Sequence, residues 1–253
     1  MQIQEQHRSR PARPRLELSM AGSATEVAEA QALRYRVFAE ELGARLESEG
    51  ACTDSDRFDN FCEHLTVRDS ASGEVVGTYR ILSPQRAREA GGCYSDGEFD
   101  LTRLDALRDE MVEVGRSCVH PDHRGGAVIA LLWTGLADYM KRTGHRYLTG
   151  CASLSLADGG RSAAGIYQRL CDNHSSPAEW RVSPRVRLPL ESLEPNADAP
   201  LPPLIRGYLR AGATVCGEPA WDPDFNTADL FMMLPMERLD RRYAERFMAG
   251  QPG

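Results

Sequence analysis

The sequence lacks the features that place a protein in a membrane or on a nucleic acid. No apolar run approaches the roughly 20 residues that cross a bilayer. None follows the arginines of the N-terminal MQIQEQHRSRPARPR either, so this segment does not resemble a secretory signal. The net charge of −7 argues against broad nucleic-acid binding. We expect a cytoplasmic protein whose residues 1–15 form a disordered leader, with arginines that could contact acidic lipid at the inner face of the membrane.

The cysteines lack the spacing of a metal site or a disulfide framework, and lysine is nearly absent. The seven cysteines include no CxxC pair, and their odd number without an export signal favours reduced, mostly buried thiols. Cys118, His120 and His123 have a C-x-H-x-x-H spacing that matches no standard zinc site, so no metal is predicted. Lys141 is the only lysine, a bias that we attribute to genome composition.

The most informative segment that is present, residues 110–133, reads as a strand, a glycine turn and a helix. An apolar run from Met111 to Val119 is followed by Arg124-Gly125-Gly126, and apolar residues then recur at helical spacing. This layout directs backbone N–H groups and the positive end of a helix dipole at an anion. A phosphate-bearing ligand is the first hypothesis, and a turn that merely requires positive φ is the alternative.

The remaining segments predict a mixed α+β protein. A capping box at Ser23 and Glu26 begins a helix expected from about Thr25 to Leu42. Further strands are expected at residues 64–68, 74–82, 147–151, 180–188, 213–216 and 228–235, and further helices at 101–108, 163–171, 204–210 and 236–248. We predict a core over residues 16–188, and a proline-rich loop with a C-terminal extension over 189–253 that packs on the same domain.

The order helix, hairpin, strand, glycine turn, helix, strand, helix resembles the GNAT acyltransferase fold, a mixed, mostly antiparallel twisted sheet flanked by helices. Short motifs are similar to those of one branch, the acyl-homoserine-lactone synthases, which take acyl chains from acyl carrier protein. The matching residues are Arg34 and Phe38 (arginine-x-x-x-phenylalanine), Asp54, Asp56 and Asp59 (an acidic E-x-D-x-x-D motif), Arg80, and Glu113 with Arg116 (E-x-x-R). Ala44 stands where those synthases carry a tryptophan.

Longer runs are similar to a second branch, the L-ornithine Nα-acyltransferases of ornithine-lipid synthesis. They are FDNFCEHLTV (58–67), GRSCVHPDHRGGAVIALLWTGLADY (115–139) and YLTGCASL (147–154). This resemblance implies direct transfer of a 3-hydroxyacyl group from acyl carrier protein to the α-amine of ornithine, giving a lyso-ornithine lipid. Acyl carrier protein and a small amino acid would be the partners, with no tightly bound cofactor.

The chemistry of amide formation suggests which residues act. It requires a neutral amine and a polarised thioester carbonyl held together. A strand that opens beside the glycine turn can offer backbone N–H groups to the carbonyl, and Ser117 and Cys118 lie at that end. Glu113 is the predicted base, because a carboxylate in a half-buried cleft can have a raised pKa. A structural ion pair between Glu113 and Arg116 is the alternative. A covalent acyl-enzyme on Cys118 or Cys151 is disfavoured, because both cysteines lie in apolar strands.

The other predicted contacts divide by the group that they would bind. The carrier phosphodiester would meet Arg124 and the N–H groups of Gly125, Gly126 and Ala127, where the turn is shorter than the superfamily pattern and suits a single phosphate. The ammonium of ornithine would be attracted by Asp54, Asp56 and Asp59, and its carboxylate held by Arg80 or Arg116. Support for the charged cleft would come from Arg34, Phe38, Glu63 and His64.

Three other functions stay open on the sequence. The chain could make an acyl-homoserine lactone, acylate another amino acid, or be a non-catalytic module that binds acyl carrier protein or senses lipid. Turnover separates the enzymes from the module, and the acyl acceptor separates the enzymes from one another.

Overall fold

The fold is built on one open sheet, whose strands come from the beginning, the middle and the end of the described part of the chain. The computed structural model describes residues 15–46 and 51–239. Its strands are β1 (Leu16–Met20), β2 (Glu63–Asp69), β3 (Val75–Leu82), β4 (Phe99–Asp100), β5 (Met111–Val119), β6 (Tyr147–Ser155), β7 (Ser183–Pro184), β8 (Thr214–Val215), β9 (Ala220–Asp222) and β10 (Thr227–Pro235). Its α-helices are α1 (Ala24–Tyr35), α2 (Pro84–Glu89), α3 (Ala127–Thr143), α4 (Arg161–His174) and α5 (Pro203–Ala211).

The strand order explains the predicted fold class. The main sheet runs β1-β2-β3-β5-β6-β10-β8, and β9 also pairs with β10. These pairs are antiparallel except β5 and β6, which run parallel. β4 and β7 form a separate two-stranded ribbon. The predicted α+β class with a mixed, mostly antiparallel sheet is therefore confirmed.

Helices cover both faces of the sheet, as the alternation along β10 illustrates. Leu230 and Met232 pack with residues of α4 and α5, whereas Phe231 and Met233 pack on the other face against the segment around Phe99. Helix α3 lies on the α4 and α5 face, and α1 packs on the opposite one. Successive side chains of β10 therefore point to opposite faces of the sheet, and both faces are buried.

Local signals account for most of the helix ends. The Ser23 hydroxyl accepts a hydrogen bond from the Glu26 N–H and begins α1, as predicted, and the helix continues over Arg36–Glu41 with π-type geometry. Helix α2 was not predicted, although Ser83 caps it and Pro84 occupies its first turn. No helix in the described ranges has the length and apolarity needed to cross a membrane.

Other predictions differ from the structure or fall outside it. The strand expected over 180–188 shrinks to β7, because Pro184 and Pro189 lack N–H donors for a longer ladder. The predicted segment 101–108 is helical, but as a 3-10 helix over Thr102–Glu110. The leader, except Arg15, and most of the predicted helix 236–248 lie outside the described residues.

Candidate active site

Strands β5 and β6 separate in the middle of the sheet, and this opening forms the site. They pair only at Met111↔Tyr147, Val112↔Leu148 and Glu113↔Thr149. The next residue of β6, Gly150, lies so close to β5 that an added Cβ would be 2.2 Å from the Val114 carbonyl oxygen. Glycine is therefore required where the two strands begin to part.

A bulge in β5 lies beside the opening. Thr78 is opposite Cys118 and Arg80 is opposite Gly115, so Tyr79 alone faces both Arg116 and Ser117. Arg116 has φ 50°, which is uncommon for a residue with a side chain. The extra residue of a bulge lies outside the regular ladder, so main-chain groups at Arg116 and Ser117 become available. This matches the expectation of a strand that bulges open at Ser117.

A cavity of about 230 Å³ occupies the opening and is lined from both faces of the sheet. On the α5 face its wall is apolar and includes Leu148, Leu204, Tyr208, Ala213, Met232 and Leu234. On the α1 face its wall is aromatic and charged and includes Phe38, Phe58, Tyr94, Glu113, Arg116, Asp222, Phe225 and Asp229. An apolar chain and a polar group can therefore meet at the bulge from opposite sides.

Two buried arginines, Arg34 and Arg80, form one ion-pair network on the polar side with the partly buried Arg116 and three aspartates. Each aspartate pairs with two arginines, at N–O distances from 2.7 to 3.3 Å. The pairs are Arg34 with Asp54 and Asp59, Arg80 with Asp56 and Asp59, and Arg116 with Asp54 and Asp56. The charges of the six groups balance, which reduces the cost of burying them.

The network changes the interpretation of the aspartates. Burial opposes ionisation of Asp59, but the hydrogen bonds and charge of Arg34, together with the charge of Arg80, outweigh it and lower the pKa of Asp59. Arg80 and Arg116 line the cavity, whereas Asp54, Asp56 and Asp59 are not among its described lining residues. The aspartates therefore orient the arginines, and this placement gives no support to their predicted contact with the ammonium of ornithine.

Glu113 lines the cavity and anchors the turn at residues 94–97. Its carboxylate accepts hydrogen bonds from the Tyr94 N–H (2.7 Å), the Ser95 N–H (2.9 Å) and the Ser95 hydroxyl. Burial raises the pKa of Glu113, and the bonds from Ser95 and Tyr94 oppose this rise. Arg116 pairs with the aspartates of the network. The alternative Glu113–Arg116 ion pair is not formed among the described residues.

Cys118 and Ser117 have different surroundings although they are neighbours. The Cys118 side chain is buried with Leu33, Val37 and Val75 under α1, and burial raises the pKa of its thiol to about 12. It does not line the cavity, so a covalent role for its sulfur has no support. Ser117 does line it, close to the paired hydroxyls of Tyr79 and Tyr208.

The glycine turn leads into α3 as expected. Gly126 is the N-cap of α3 with φ 94°, so positive φ is one reason for this glycine. The Arg124 guanidinium forms a bidentate ion pair with Glu41 at 2.5 and 2.6 Å, and its Nε donates to the Val119 carbonyl. A phosphate at this turn would therefore meet the main chain of Gly125, Gly126 and Ala127 first.

The residues predicted to support the cleft fall into two groups. Phe38 lines the cavity, contacts Phe225 edge to face, and lies one helical turn from Arg34 of the network. His64 is buried near the Asp59 carbonyl, and burial lowers its pKa, as is typical of a hydrogen-bonded histidine in a protein core. Glu63 accepts a hydrogen bond from Tyr139 of α3 and is not among the described lining residues of the cavity.

The sequence interpretation missed a group of three carboxyl side chains, those of Glu98, Asp222 and Asp229. Their oxygens lie within 4.8 Å of one another, and Asp222 and Asp229 line the cavity. They come from a turn and from two strands that are distant in sequence, so no motif connects them. The pattern TADLF in β10, an acid inside an otherwise apolar strand, was the one available signal.

Comparison with known proteins agrees with this geometry. The family model described as "Acetyltransferase (GNAT) domain" matches residues 33–134. An N-acyl amino acid synthase from uncultured soil microbes has a TM-score of 0.56 at 15% identity, covering 88% of this chain and 92% of the other. This similarity shows the fold, and the predicted GNAT fold is confirmed.

Sequence relatives cover nearly the whole chain. The L-ornithine N(alpha)-acyltransferase of Brucella abortus (strain 2308) is 37% identical over an alignment of 251 residues, and the match covers 92% of this chain and 89% of the relative. That of Rhodobacter capsulatus is 38% identical over an alignment of 250 residues, and the match covers 90% of this chain and 93% of the relative. The split sheet, the bulge and this similarity lead to one conclusion. The chain belongs to the L-ornithine Nα-acyltransferase family of the GNAT acyltransferases.

Proposed function

We propose that this enzyme transfers a 3-hydroxyacyl group from acyl carrier protein to the α-amine of ornithine, giving a lyso-ornithine lipid. The observation that carries the proposal is the cavity at the β5–β6 opening, where an apolar wall and a charged wall meet at the bulge of β5. The two relatives are L-ornithine N(alpha)-acyltransferases, which supports the same acceptor and the same bond.

The donor thioester would cross the sheet at the opening. Its acyl chain fits the apolar wall, which α5 and β10 form. Its carbonyl oxygen would accept hydrogen bonds from the main chain at the bulge, around Arg116 and Ser117, where fixed N–H groups stabilise developing negative charge. The carrier phosphodiester would lie at Gly125, Gly126 and Ala127, with Arg124 able to exchange Glu41 for the phosphate.

The acceptor would bind on the charged side of the cavity. Arg116, whose guanidinium is 5.1 Å from the Tyr94 ring centroid and 4.8 Å from that of Phe225, would hold the α-carboxylate together with Arg80. Glu113 would accept the proton of the α-ammonium, because its buried carboxylate has a raised pKa and lines the same space. The neutral amine then attacks the carbonyl directly, and the carrier thiol leaves with a proton.

The test is a turnover assay with purified full-length protein. Radiolabelled ornithine and 3-hydroxyacyl-carrier protein should give an organic-extractable amide, and the matching acyl-coenzyme A should be a poorer donor. Equal rates with both donors would remove acyl carrier protein from the proposal. Product with another amino acid but none with ornithine would keep the acyltransferase and reject the acceptor.

Two further arms address the remaining alternatives. With S-adenosylmethionine as the acceptor, release of methylthioadenosine would identify a lactone synthase instead. Absence of any acyl transfer, with acyl carrier protein still bound, would identify a non-catalytic module. The predicted contact of the arginine-rich leader with membrane lipid can be tested by flotation with anionic vesicles, comparing the full chain with one that starts at Leu16.

A further inference from the structure

Glu98, Asp222 and Asp229 form an acidic group in which Asp229 is buried and the other two residues are partly buried. We call these three residues the acid triad. Their carboxyl oxygens lie within 4.8 Å of one another. No arginine, lysine or histidine in the described part of the chain forms an ion pair with any of them, whereas Asp54, Asp56 and Asp59 each pair with two arginines. Buried carboxylates without a partner are costly to ionise, so the triad lacks a positive charge that a ligand could supply.

Glu98 provides a second and independent sign of a missing ligand. Both of its carboxyl oxygens are buried from solvent, and no N–H donor in the described residues reaches either oxygen. Burial and the neighbouring charges of Asp229 and Asp222 raise the pKa of Glu98 to about 9, although the Cys151 thiol, a weak donor, opposes the rise. Burial also raises the pKa of Asp229. Buried carboxyl oxygens that no N–H group reaches are rare in folded proteins and often mark a place where a ligand binds.

The position of the triad relates it to the acceptor site. Asp222 and Asp229 line the same cavity as Glu113 and Arg116. The Asp222 carboxylate accepts the Phe225 N–H at 3.0 Å, and the Phe225 ring in turn contacts the Arg116 guanidinium. One hairpin tip between β9 and β10 therefore joins a cationic and an anionic subsite on one wall of the cavity.

The number of free acceptors favours an alkylammonium over a metal ion. A divalent cation such as Ca²⁺ or Mg²⁺ prefers six or more oxygen ligands. In the triad, one Asp222 oxygen already accepts the N–H groups of Asp224 and Phe225, and the Asp229 carboxyl accepts hydrogen bonds from the Thr227 hydroxyl and from Ser153. A primary ammonium has three N–H donors, and the triad can offer one acceptor from each carboxylate.

We propose that the acid triad binds the side-chain ammonium of the acceptor and thereby selects a diamino acid over a neutral amino acid. The inference rests on the proposed function, because it places the α-carboxylate at Arg116 and the α-amine beside Glu113. The acceptor would then lie along the cavity wall, with its two charged ends held by groups of opposite sign.

The first experiment compares acceptors on the unmodified enzyme. Ornithine and norvaline have the same carbon chain, but norvaline lacks the terminal amine, and lysine and 2,4-diaminobutyrate move that amine by one methylene. We expect kcat/KM for ornithine to exceed that for norvaline by about 10- to 100-fold. This factor corresponds to the free energy that buried hydrogen bonds to a charged group contribute to binding. Equal values for ornithine and norvaline would overturn the proposal.

The second experiment uses the variants Glu98→Gln and Asp229→Asn, which preserve shape and remove charge. Each should raise KM for ornithine about 10-fold or more, with a much smaller change in kcat and little change for norvaline. Asp138→Asn on the exposed side of α3 is the matched control and should behave as the unmodified enzyme. Parallel losses for ornithine and norvaline would mean a structural role and overturn the proposal.

Calorimetric binding separates this inference from the proposed function. If no amino acid is acylated, the proposed function fails, but tighter binding of ornithine than of norvaline, lost in Glu98→Gln, would still support the triad. Equal binding of ornithine and norvaline would overturn it.

A last experiment tests for a metal ion. The protein is dialysed against EDTA, Mg²⁺ or Ca²⁺ is then added back, and ornithine binding is measured at each stage. Ornithine binding that disappears and returns with the metal would assign the triad to a metal ion, which would also overturn the proposal.

Discussion

Two groups of acidic residues lie at or near the cavity, and they differ in whether a cation from the described residues neutralises them. Asp59 is representative of the first group, because Arg34 and Arg80 hold its pKa below the usual value. Glu98 is representative of the second, because its charged neighbours are carboxylates and its pKa is raised. The first arrangement stabilises the folded protein at neutral pH, whereas the second destabilises it and favours a cationic ligand.

Glu98→Gln should stabilise the ligand-free protein at alkaline pH. A carboxyl group with a pKa of about 9 in the folded state, against 4.5 when exposed, keeps its proton while the unfolded chain has lost it. Folding stability contributed by this proton is therefore complete below pH 4.5 and is lost as the pH rises toward 9. The difference in Tm between Glu98→Gln and the unmodified protein should be small near pH 4.5 and should grow toward pH 9, as measured by thermal unfolding.

An exposed carboxylate provides the control for this measurement. Glu179→Gln changes the formal charge by the same amount on the surface and should leave the pH dependence of Tm unchanged. A Tm difference for Glu98→Gln that is flat with pH would contradict the raised pKa of Glu98. The titratable groups that face Glu98 are the Asp222 and Asp229 carboxyls and the Cys151 thiol, whose pKa is also raised by burial.

Glu113 can be tested as a base by comparing it with Ser95. Glu113→Gln should lower kcat by about 100-fold and remove the acid limb of the pH–rate profile. Ser95→Ala keeps the carboxylate but removes a hydrogen bond that lowers its pKa. Its acid limb should therefore move to higher pH, with a much smaller loss of kcat.

The pH profile distinguishes catalysis from anchoring of the turn at residues 94–97. If Glu113 only anchors that turn, both substitutions would reduce activity with no change in the acid limb. The amide introduced by Glu113→Gln would place an NH₂ group against the Tyr94 or Ser95 N–H, so some loss of Tm is expected. Tm is measured in parallel, and rates are compared only where the variants remain folded.

At the scale of elements, the sequence predicted what depends on local patterns. The Ser23 cap, the strands around β2 and β3 and the turn into α3 each follow from a few adjacent residues. The strand expected over 180–188 was wrong for most of its length, because Pro184 and Pro189 lack the N–H donors that a longer strand needs. The resemblance to known families identified the residues of the arginine–aspartate network, but not how they pair.

The acid triad could not be predicted from the sequence, because Glu98 is distant along the chain from the other two residues. Glu98 lies in a turn, and Asp222 and Asp229 lie on neighbouring strands of a later hairpin, so only the folded sheet brings them together. The position of the β5–β6 opening was predictable in part, from the apolar run Met111 to Val119 that leads into the glycine turn. The role of Gly150 in it was not, because that role depends on the carbonyl of Val114 in another strand.

Gly150→Ala tests whether the strands must approach closely before they part. The new methyl carbon would lie 2.2 Å from the Val114 carbonyl oxygen, and a backbone oxygen cannot move away cheaply. We expect a loss of about 1–3 kcal/mol in the free energy of unfolding and a clear reduction in kcat, measured by denaturant unfolding and by turnover.

A second glycine substitution controls for the loss of glycine itself. In Gly22→Ala the methyl would meet only Glu26 Oε2 at 3.6 Å, an ordinary contact. Stability and turnover of Gly22→Ala should stay close to those of the unmodified protein. Wild-type stability and turnover of Gly150→Ala would contradict the close approach of β5 and β6.

At the scale of the molecule, the cavity joins parts of the chain that sequence reasoning had separated. The predicted core over 16–188 supplies the bulge, Glu113 and the arginines, whereas α5 and β10, from the predicted extension, supply most of the apolar wall, and the β9–β10 hairpin supplies two members of the triad. β10 also pairs with β6 along nine residue positions. The C-terminal part is therefore required for the site as well as for the sheet.

Leu204→Phe tests the assignment of the apolar wall to the acyl chain. Leu204 of α5 lines the cavity and is only partly buried, so a larger side chain can be accommodated without repacking the core. A phenyl ring would shorten the space for the chain, and each methylene it excludes costs about 0.8 kcal/mol. In a competition between acyl donors of different length, the ratio of rates should shift toward the shorter chain by roughly 10-fold if two methylenes are excluded. The KM for ornithine should stay unchanged.

The control is Arg210→Phe, on the exposed side of the same helix, which should keep the original chain-length preference. An unchanged preference in Leu204→Phe, or a change confined to ornithine, would place the acyl chain elsewhere and leave the α5 face without its proposed role.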